Sequence, residues 1–451
     1  MQYYSTNKQS PLAGLEEVVI KSLAGDKGLY MPENIPTIDK SVIAKMKDMS
    51  FQEIADIVAQ AFFGKDMDSQ ALRDIVYDTL SFETPVVHVN DNIYSLELFH
   101  GPTLAFKDVG ARFMARLSSY FILHKGLGHE GNTHDDGKRG SDSHDREVNV
   151  LVATSGDTGG AVANGFLGVP GINVFVLYPK GKVSPIQECQ FTTLGKNITA
   201  LEIDGTFDDC QALVKAAFVD DELNNHIQLT SANSINVARF LPQSFYYFSA
   251  YAQLDKIGKA DELVVCVPSG NFGNLTAGLF AYKMGLPVKH FIAANNSNDV
   301  FYEYLKTGNY NPRPSVETYA NAMDVGNPSN FARILDLFDY SHKQIAALIS
   351  GYRYTNDEIA DTMRRTYNAH KYLLDPHGAC GYQALADYKL KPEETGLFLE
   401  TAHPAKFKEN VDMALSSDIE IPAKLQEFMK DEKQSFALGK GFDEFKAFLM
   451  K

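Results

Sequence analysis

A single lysine, Lys107, stands in a setting that could make it chemically reactive. It follows a Gly101-Pro102 break, lies between Phe106 and Asp108, and precedes apolar residues at helical spacing. Asp108 is a good helix cap, so Lys107 is expected on a loop just before a helix. Burial lowers the pKa of an amine toward its neutral, nucleophilic form, and such lysines form Schiff bases with carbonyl groups. A surface lysine beside a cap is the alternative, and this stretch alone does not decide between them.

Three further polar segments follow apolar, strand-like runs. They are Ser155-Gly156-Asp157-Thr158-Gly159-Gly160, Ser269-Gly270-Asn271-Phe272-Gly273-Asn274 and Thr401-Ala402-His403-Pro404-Ala405-Lys406-Phe407. The first two also precede predicted helices, and the N–H groups at a helix N-terminus are suited to binding an anion. Neither the G-x-x-x-x-G-K-[ST] nor the G-x-G-x-x-G pattern occurs in the second segment, so a nucleotide is not implied. A strand–helix turn that simply needs glycine is the alternative for the first segment. For the third, Thr401 could instead cap a helix that starts near Pro404, which is compatible with a functional role.

Together with residues 98–108, these segments in this order resemble the motifs of threonine synthases, pyridoxal-phosphate enzymes of the fold type II (tryptophan synthase β) group. The resemblance runs from about Gly28 to about Lys408. It implies an α/β fold with two mainly parallel α/β domains and a mostly helical N-terminal domain. It also implies pyridoxal 5′-phosphate as cofactor and O-phospho-L-homoserine as substrate, converted with water to L-threonine and phosphate, the last step of threonine biosynthesis.

The resemblance assigns roles to individual residues. Lys107 would bind the cofactor and act in catalysis, and Thr401 would face the pyridine nitrogen. The cofactor phosphate would be held by Gly270, Asn271, Phe272, Gly273 and Asn274. Ser155, Asp157 and Thr158 would position substrate and cofactor. The candidates for the substrate phosphate are Arg112 and Arg239, with Lys182 and Lys406 as others, and a solvent-facing salt bridge is an equally good interpretation of each one.

Other functions remain open at this point. Residues 100–108 and 401–407 argue against a threonine dehydratase, but not against a related pyridoxal-phosphate-dependent phospho-lyase. A catalytically inactive, threonine-synthase-like binding protein is the remaining alternative.

The composition limits the class of protein further. The chain has 451 residues, a formal net charge of −15 and 44% hydrophobic residues, which fits two or three globular domains and argues against nucleic-acid binding. The four cysteines lack Cys-x-x-Cys spacing, so neither a disulfide framework nor a zinc site is predicted. The sequence has no signal-peptide pattern and no run of 18 apolar residues, so a cytoplasmic protein outside any membrane is expected. A monomer and a homodimer are both compatible with it.

A polar insert at residues 125–148 is rich in Gly, Asp and His, which predicts a flexible surface loop. The spacing of His129, His134 and His144 is irregular, and no metal site is predicted there.

Apolar runs that alternate with amphipathic segments predict parallel sheets covered by helices. The predicted strands are 149–153, 172–178, 197–203, 263–267, 288–293 and 396–399, and the predicted helices include 160–166, 207–218, 235–254 and 275–284. The predicted division is 1–84 for the N-terminal domain, 85–205 for a smaller α/β domain with Lys107 and the Ser155 segment, and 206–451 for a larger cofactor-binding α/β domain. The charged C-terminal stretch from Lys424 predicts surface helices.

Overall fold

The computed structural model describes residues 1–124 and 147–451. His129, His134 and His144 of the polar insert lie outside these ranges. Within them, no helix combines the length and the apolar character that crossing a membrane requires.

The strands of the described chain form three sheets. In chain order the strands are β1 (Tyr3–Ser5), β2 (Tyr30–Pro32), β3 (Val86–Asn90), β4 (Ile93–Glu97), β5 (Val148–Ala153), β6 (Ile172–Pro179), β7 (Ile198–Ile203), β8 (Gln228–Ser231), β9 (Leu263–Pro268), β10 (His290–Asn295), β11 (Ile349–Arg353), β12 (Thr395–Glu400) and β13 (Phe436–Leu438). The large sheet has the order β11-β10-β9-β12-β4-β3 and the small sheet β13-β7-β6-β5-β8, while β1 and β2 pair by themselves. All neighbours in the two main sheets are parallel except β3 and β4.

Helices connect and cover these strands. They are α1 (Leu15–Lys21), α2 (Lys40–Ile43), α3 (Phe51–Phe63), α4 (Ser69–Thr79), α5 (Lys107–His124), α6 (Asp157–Phe166), α7 (Pro185–Thr192), α8 (Phe207–Val219), α9 (Asp221–His226), α10 (Val237–Phe240), α11 (Ser244–Lys256), α12 (Gly273–Lys283), α13 (Val300–Thr307), α14 (Phe331–Leu337), α15 (His342–Leu348), α16 (Asn356–His370), α17 (Pro376–Tyr388), α18 (Lys408–Leu415), α19 (Ala423–Phe428) and α20 (Phe442–Leu449). Short 3-10 turns occur at Met46–Asp48, Leu241–Gln243, Asn321–Met323 and Pro404–Phe407.

Local sequence explains where several helices begin and end. Ser50 and Glu53 form a capping box at the start of α3, because each side chain accepts a hydrogen bond from the other residue's backbone N–H. The predicted helix 235–254 is instead divided into α10, a 3-10 turn and α11. Pro242 lies at this break and has no N–H to donate to an uninterrupted helix.

The six predicted strands are confirmed, with ends that shift by at most two residues. Their runs of Val, Ile and Leu are buried on both faces, as expected for parallel strands covered by helices on either side. The helix predicted at 160–166 begins earlier, at Asp157, so that Asp157 and Thr158 lie in its first turn. The prediction of surface helices at the C-terminus is wrong in part, because β13 joins the small sheet and Phe445 of α20 is buried.

The sheets do not follow the predicted boundary at residue 205. β3 and β4, from the segment 85–205, belong to the large sheet, whereas β8 and β13, from 206–451, belong to the small one. The chain therefore passes from one α/β unit to the other and back. The boundaries 84 and 205 remain a prediction about units that fold independently.

Candidate active site

A cavity lies at the carboxyl ends of parallel strands from both main sheets. It is bordered by Ala153 at the end of β5, Pro268 at the end of β9 and Thr401 directly after β12. Strand ends of this kind border the ligand crevice in open α/β sheets. Residues from all four sequence motifs contribute to its wall, and these are Phe106, Lys107, Ser155, Thr158, Gly270, Asn271, Phe272, Gly273, Asn274 and Thr401.

Lys107 is the first residue of α5, two positions earlier than the start that a cap at Asp108 predicts. Asp108 does not have the predicted capping role, since its carboxylate accepts hydrogen bonds from the N–H and the hydroxyl of Thr103, at 2.9 and 2.5 Å. Burial lowers the pKa of the Lys107 amine to about 8; Asp157 opposes this shift, and Arg239 and Lys406 add to it. The amine therefore reaches its neutral, reactive form near neutral pH.

The turn between β5 and α6 is held by its own residues. The Thr154 hydroxyl accepts hydrogen bonds from the N–H groups of Gly156 and Gly159, at 2.9 and 2.8 Å. Gly156 has φ +140°, a conformation that residues with a side chain rarely adopt. The result is a tight turn that presents the N-terminus of α6, with Ser155 and Thr158, to the cavity.

The second turn, between β9 and α12, also presents a helix N-terminus. Phe272 precedes the helix in the left-handed conformation at φ 60°. The Asn274 amide group donates to the carbonyl of Pro268 at 2.8 Å, and its carbonyl oxygen accepts from the Ser269 hydroxyl at 2.5 Å. The first N–H groups of a helix have no partner within it, so this turn offers several of them to an anion.

The segment that carries Thr401 is paired with the segment that carries Lys107. Phe106 N–H donates to the carbonyl of Thr401 at 2.9 Å, and His403 N–H donates to the carbonyl of Leu104 at 3.0 Å. Thr401 and Lys107 are therefore held on the same wall by backbone hydrogen bonds between two motifs that lie about 300 positions apart in sequence.

Comparison with known proteins agrees with this architecture. The family described as "Pyridoxal-phosphate dependent enzyme" matches residues 79–399, "Threonine synthase N terminus" matches 2–80 and "Threonine synthase, C-terminal" matches 378–449. The chain is 43% identical over 451 residues to a threonine synthase of Haemophilus influenzae, covering 100% of both. It is also 43% identical over 427 residues to that of Escherichia coli, covering 95% of this chain and 94% of the relative.

This chain belongs to the threonine synthase family. The crystal structure of the Escherichia coli threonine synthase superposes with a TM-score of 0.90 at 40% identity, and covers 100% of this chain and 99% of that one. A pyridoxal-phosphate-bound threonine synthase from Brucella melitensis gives 0.88 at 33% identity, with 100% and 99% covered. The predicted family, fold type II architecture and cofactor are thereby confirmed.

The cavity fits the cofactor of the threonine synthase family. A Cβ at Gly270 would lie 2.6 Å from the carbonyl oxygen of Ala322, so only glycine allows the backbone to pass there. The α12 N-terminus could supply N–H groups for a phosphate, and Lys107 could supply an amine for the cofactor aldehyde. A helix N-terminus suited to an anion and a half-buried lysine are thus present in one cavity.

The two predicted arginines lie in different places. Arg239 borders the cavity, but its guanidinium donates to the carbonyls of Lys107 and Ala232, at 2.8 and 3.1 Å. Arg112 does not reach the cavity. It donates to the carbonyls of Asp78 and Thr79 at the end of α4, because the helical spacing from Lys107 directs it toward that helix. Arg112 is therefore withdrawn as a ligand of the substrate phosphate.

The two lysines named as further candidates are also paired within the chain. Lys182 is exposed and lies 3.3 Å from the carboxylate of Glu317. Lys406 is completely buried and lies 2.6 Å from Asp157. Neither of them contributes to the cavity wall described above.

Sequence analysis missed several residues of this threonine synthase site. His377, at the start of α17, borders the cavity, as do Ala322, Met323 and Val325 of the segment 322–325 and Phe207, Asn233, Ser234 and Gln243. The run Asp375-Pro376-His377-Gly378 carries a helix-start signal, with Asp375 as cap and Pro376 at the first position, and that signal could have drawn attention to His377. The segment 322–325 carries no such signal.

Proposed function

We propose that this chain converts O-phospho-L-homoserine and water to L-threonine and phosphate, as the name of its relatives implies for them. The observation that carries the proposal is the half-buried Lys107, whose amine shares one cavity with Thr401 and with the N-terminus of α12, the proposed anion site. A phospho-lyase and an inactive binding protein would have the same cofactor site as this proposal requires. They differ in what they release: the phospho-lyase would release phosphate without threonine, and the binding protein would release neither.

The residues that would hold the cofactor follow from the cavity wall. Gly270, Asn271, Phe272, Gly273 and Asn274 surround the anion site and would bind the phosphate through backbone N–H groups. The Thr401 hydroxyl would donate to the pyridine nitrogen, which leaves that nitrogen uncharged. When bound, pyridoxal phosphate supplies an electron sink for negative charge at the substrate Cα.

Lys107 has the features of a general base. Burial keeps the pKa of its amine near 8 rather than in the usual range of a lysine, so a neutral amine is available close to the operating pH. In the proposed mechanism this amine removes the proton from the substrate Cα and returns it after water has added at Cβ. Its placement on the first turn of α5, against Phe106 and Thr401, fixes it within the cavity.

The β5–α6 turn would bind the substrate carboxylate. The hydroxyls of Ser155 and Thr158 border the cavity beside the α6 N-terminus, and both are suited to donating to a carboxylate. The Asp157 carboxylate is committed to Lys406 and to Gln187, which donates to it at 2.8 Å. We therefore assign Asp157 a supporting place in the turn rather than a direct contact with substrate.

Arg239 is retained as the candidate for the substrate phosphate, because it is the predicted cation that borders the cavity. Burial lowers the pKa of its guanidinium to about 10, which leaves it charged at neutral pH. Two of its N–H groups already bind carbonyl groups, so its contact with a phosphate would use the others.

We further propose that the protein works in the cytoplasm, as a monomer or a homodimer, without binding nucleic acid. The net charge of −15 and four free cysteines support this assignment. Size-exclusion chromatography with light scattering would decide between monomer and dimer.

The test is an assay of phosphate and threonine released from O-phosphohomoserine by the chain purified with pyridoxal phosphate. We expect both products from the wild type and from Lys180→Ala, an exposed lysine used as control, and none from Lys107→Ala. Phosphate without threonine would indicate the phospho-lyase. Bound cofactor without any turnover would indicate the binding protein.

A further inference from the structure

Lys406 is the most deeply buried lysine near the cavity, and its ammonium group has two partners. It lies 2.6 Å from a carboxylate oxygen of Asp157 and donates to the carbonyl of Thr103 at 2.8 Å. The side chain of Lys406 is 0% exposed and that of Asp157 is 3% exposed. A charged pair is retained in such a position only when its hydrogen bonds are well satisfied, so this pair is a built feature of the site.

The pair connects three of the four sequence motifs. Thr103 belongs to the loop before Lys107, Asp157 begins α6 on the small sheet, and Lys406 lies in the 3-10 turn that follows Thr401. Two glutamines of α7 complete the cluster: Gln187 donates to Asp157 at 2.8 Å and Gln190 donates to the carbonyl of Thr103 at 3.0 Å. The cluster thereby fixes the small-sheet turn against the segments that carry Lys107 and Thr401.

The charges in this cluster act on the cavity. Asp157 lies between Ser155 and Thr158 in sequence, just behind the part of the cavity wall that these two proposed ligands of the substrate carboxylate form, and an uncompensated negative charge there would repel that carboxylate. The Lys406 ammonium, at 2.6 Å, supplies the compensating charge. Because the site is shielded from water, removal of either partner leaves the other charge acting at nearly full strength.

We propose that Lys406 is a positioning residue for this reaction: through its ion pair with Asp157 it neutralises the substrate-binding turn and controls the charge that surrounds the Lys107 amine. The proposal rests on the role of Lys107 given under the proposed function. It replaces the earlier hypothesis that Lys406 binds the substrate phosphate.

Three charged groups on neighbouring elements act on the Lys107 amine. Asp157 raises the pKa of this amine, and Arg239 and Lys406 lower it. Asp108, on the same helix turn as Lys107, acts on the pKa of Arg239. Burial alone would raise the pKa of Asp157, but the charges of Lys406 and Lys107 outweigh it and hold that pKa below its usual range.

The test compares Lys406→Met, Asp157→Asn and the double variant in the full-length chain without added cofactor. Trinitrobenzenesulfonate reacts with neutral amines only, so its rate of reaction at Lys107, followed by mass spectrometry against pH, gives the pKa of that amine. We expect K406M to raise this pKa by about one unit and D157N to lower it, with the double variant returning toward the wild type.

A purely structural role for the pair predicts a different result. Loss of either partner would then disturb the cavity in the same way, and both single variants would shift the pKa of Lys107 in the same direction or leave it unchanged. Either of these outcomes overturns the proposal. If K406M fails to fold, as judged by circular dichroism, D157N and the charge-balanced double variant provide the same comparison.

A second measurement uses the enzyme loaded with pyridoxal phosphate. K406M should raise KM for O-phosphohomoserine by about tenfold or more, because Asp157 then repels the substrate carboxylate, and the double variant should recover part of that loss. An unchanged KM in K406M would contradict the proposed neutralisation. If the wild type forms no threonine, the proposed function fails while the titration of Lys107 still tests the role of Lys406.

Discussion

At the scale of single residues, Gly270 sets how closely the backbone of the anion site can approach its neighbours. A Cβ at this position would lie 2.6 Å from the carbonyl oxygen of Ala322 and 2.8 Å from the Cα of Met323. Both of these are backbone atoms, which cannot move aside as the end of a flexible side chain can. We therefore predict that Gly270→Ala displaces the turn and weakens pyridoxal phosphate binding by about tenfold or more, since overpacking typically costs about 1–3 kcal/mol. Equilibrium titration of the apoenzyme with the cofactor measures the change.

Gly441→Ala is the matched control for this substitution. Gly441 has φ −79°, and a Cβ there would meet no atom within 4 Å. The Gly441→Ala variant should bind pyridoxal phosphate with the affinity of the wild type. Equal affinity of the two variants and the wild type would mean that the close packing at Gly270 does not shape the anion site.

The sequence predicted the residues of this cavity that are marked by local patterns. Lys107, the two glycine-rich turns and Thr401 each follow an apolar strand or loop, and the structure brings them to one wall. The position of the Arg112 side chain could not be predicted from a local pattern, because its partners are carbonyls at the end of α4, more than 30 residues away in sequence. The pair of Lys406 and Asp157 joins positions about 250 residues apart, and no spacing rule predicts such a contact.

At the scale of elements, the start of α17 supports the segment that lies under the anion site. The ring of His377 contacts the carboxylate of Asp375 through Nδ1 at 2.5 Å, and its Nε2 accepts a hydrogen bond from Ala322 N–H at 3.1 Å. An imidazole that accepts through Nε2 carries its proton on Nδ1, which then donates to Asp375. His377 thus connects α17 to the 3-10 turn Asn321–Met323, which packs against Gly270.

His377→Ala is predicted to loosen this segment and to weaken cofactor binding. The substitution leaves the partly buried Ala322 N–H without its partner, at a cost toward the lower end of the range of about 1–3 kcal/mol typical of a fully buried group. We expect an affinity for pyridoxal phosphate about tenfold lower, while Lys107 and Thr401 remain in place. Fluorescence or absorbance titration of the apoenzyme provides the measurement.

His342→Ala provides the comparison. His342 is half-buried, and like His377 it forms a hydrogen bond with a backbone group, here the carbonyl of Leu305 at 3.0 Å, on a part of the large unit that does not border the cavity. Its loss should affect stability without affecting cofactor affinity. If both histidine variants bind the cofactor equally well, His377 does not support the anion site.

Elements with long, continuous apolar runs were predictable, and those without them were not. The strands that border the site, β5, β9 and β12, are buried on both faces and were identified from composition. β8 and β13 have only four and three residues, too few to show a period of their own. Their pairing depends on the strand already beside them, which is a tertiary effect that a local pattern does not contain.

At the scale of the whole molecule, the small sheet depends on the end of the chain. β13 pairs with β7, and α20 packs against α8, so that Phe445 and Leu449 join the apolar core around Leu151 and Leu213. The same sheet carries the β5–α6 turn with Ser155 and Thr158. The C-terminal residues are therefore expected to stabilise this turn, the proposed site of the substrate carboxylate, which lies almost 300 positions earlier in sequence.

Phe445→Ala tests this dependence. Phe445 is 0% exposed, and truncating a buried Phe to Ala typically costs about 3–5 kcal/mol. The control is Phe436→Ala in β13, which should cost less than about 1 kcal/mol because Phe436 is 57% exposed. Urea unfolding followed by circular dichroism measures both costs, and the temperature at which threonine formation is lost should fall for F445A alone. KM for O-phosphohomoserine at low temperature should stay near that of the wild type, because the cavity wall itself is unchanged. Equal unfolding free energies for the two variants would show that α20 contributes little to the stability of the small sheet. A large loss of stability for F445A with unaltered heat inactivation would show that the β5–α6 turn does not depend on α20.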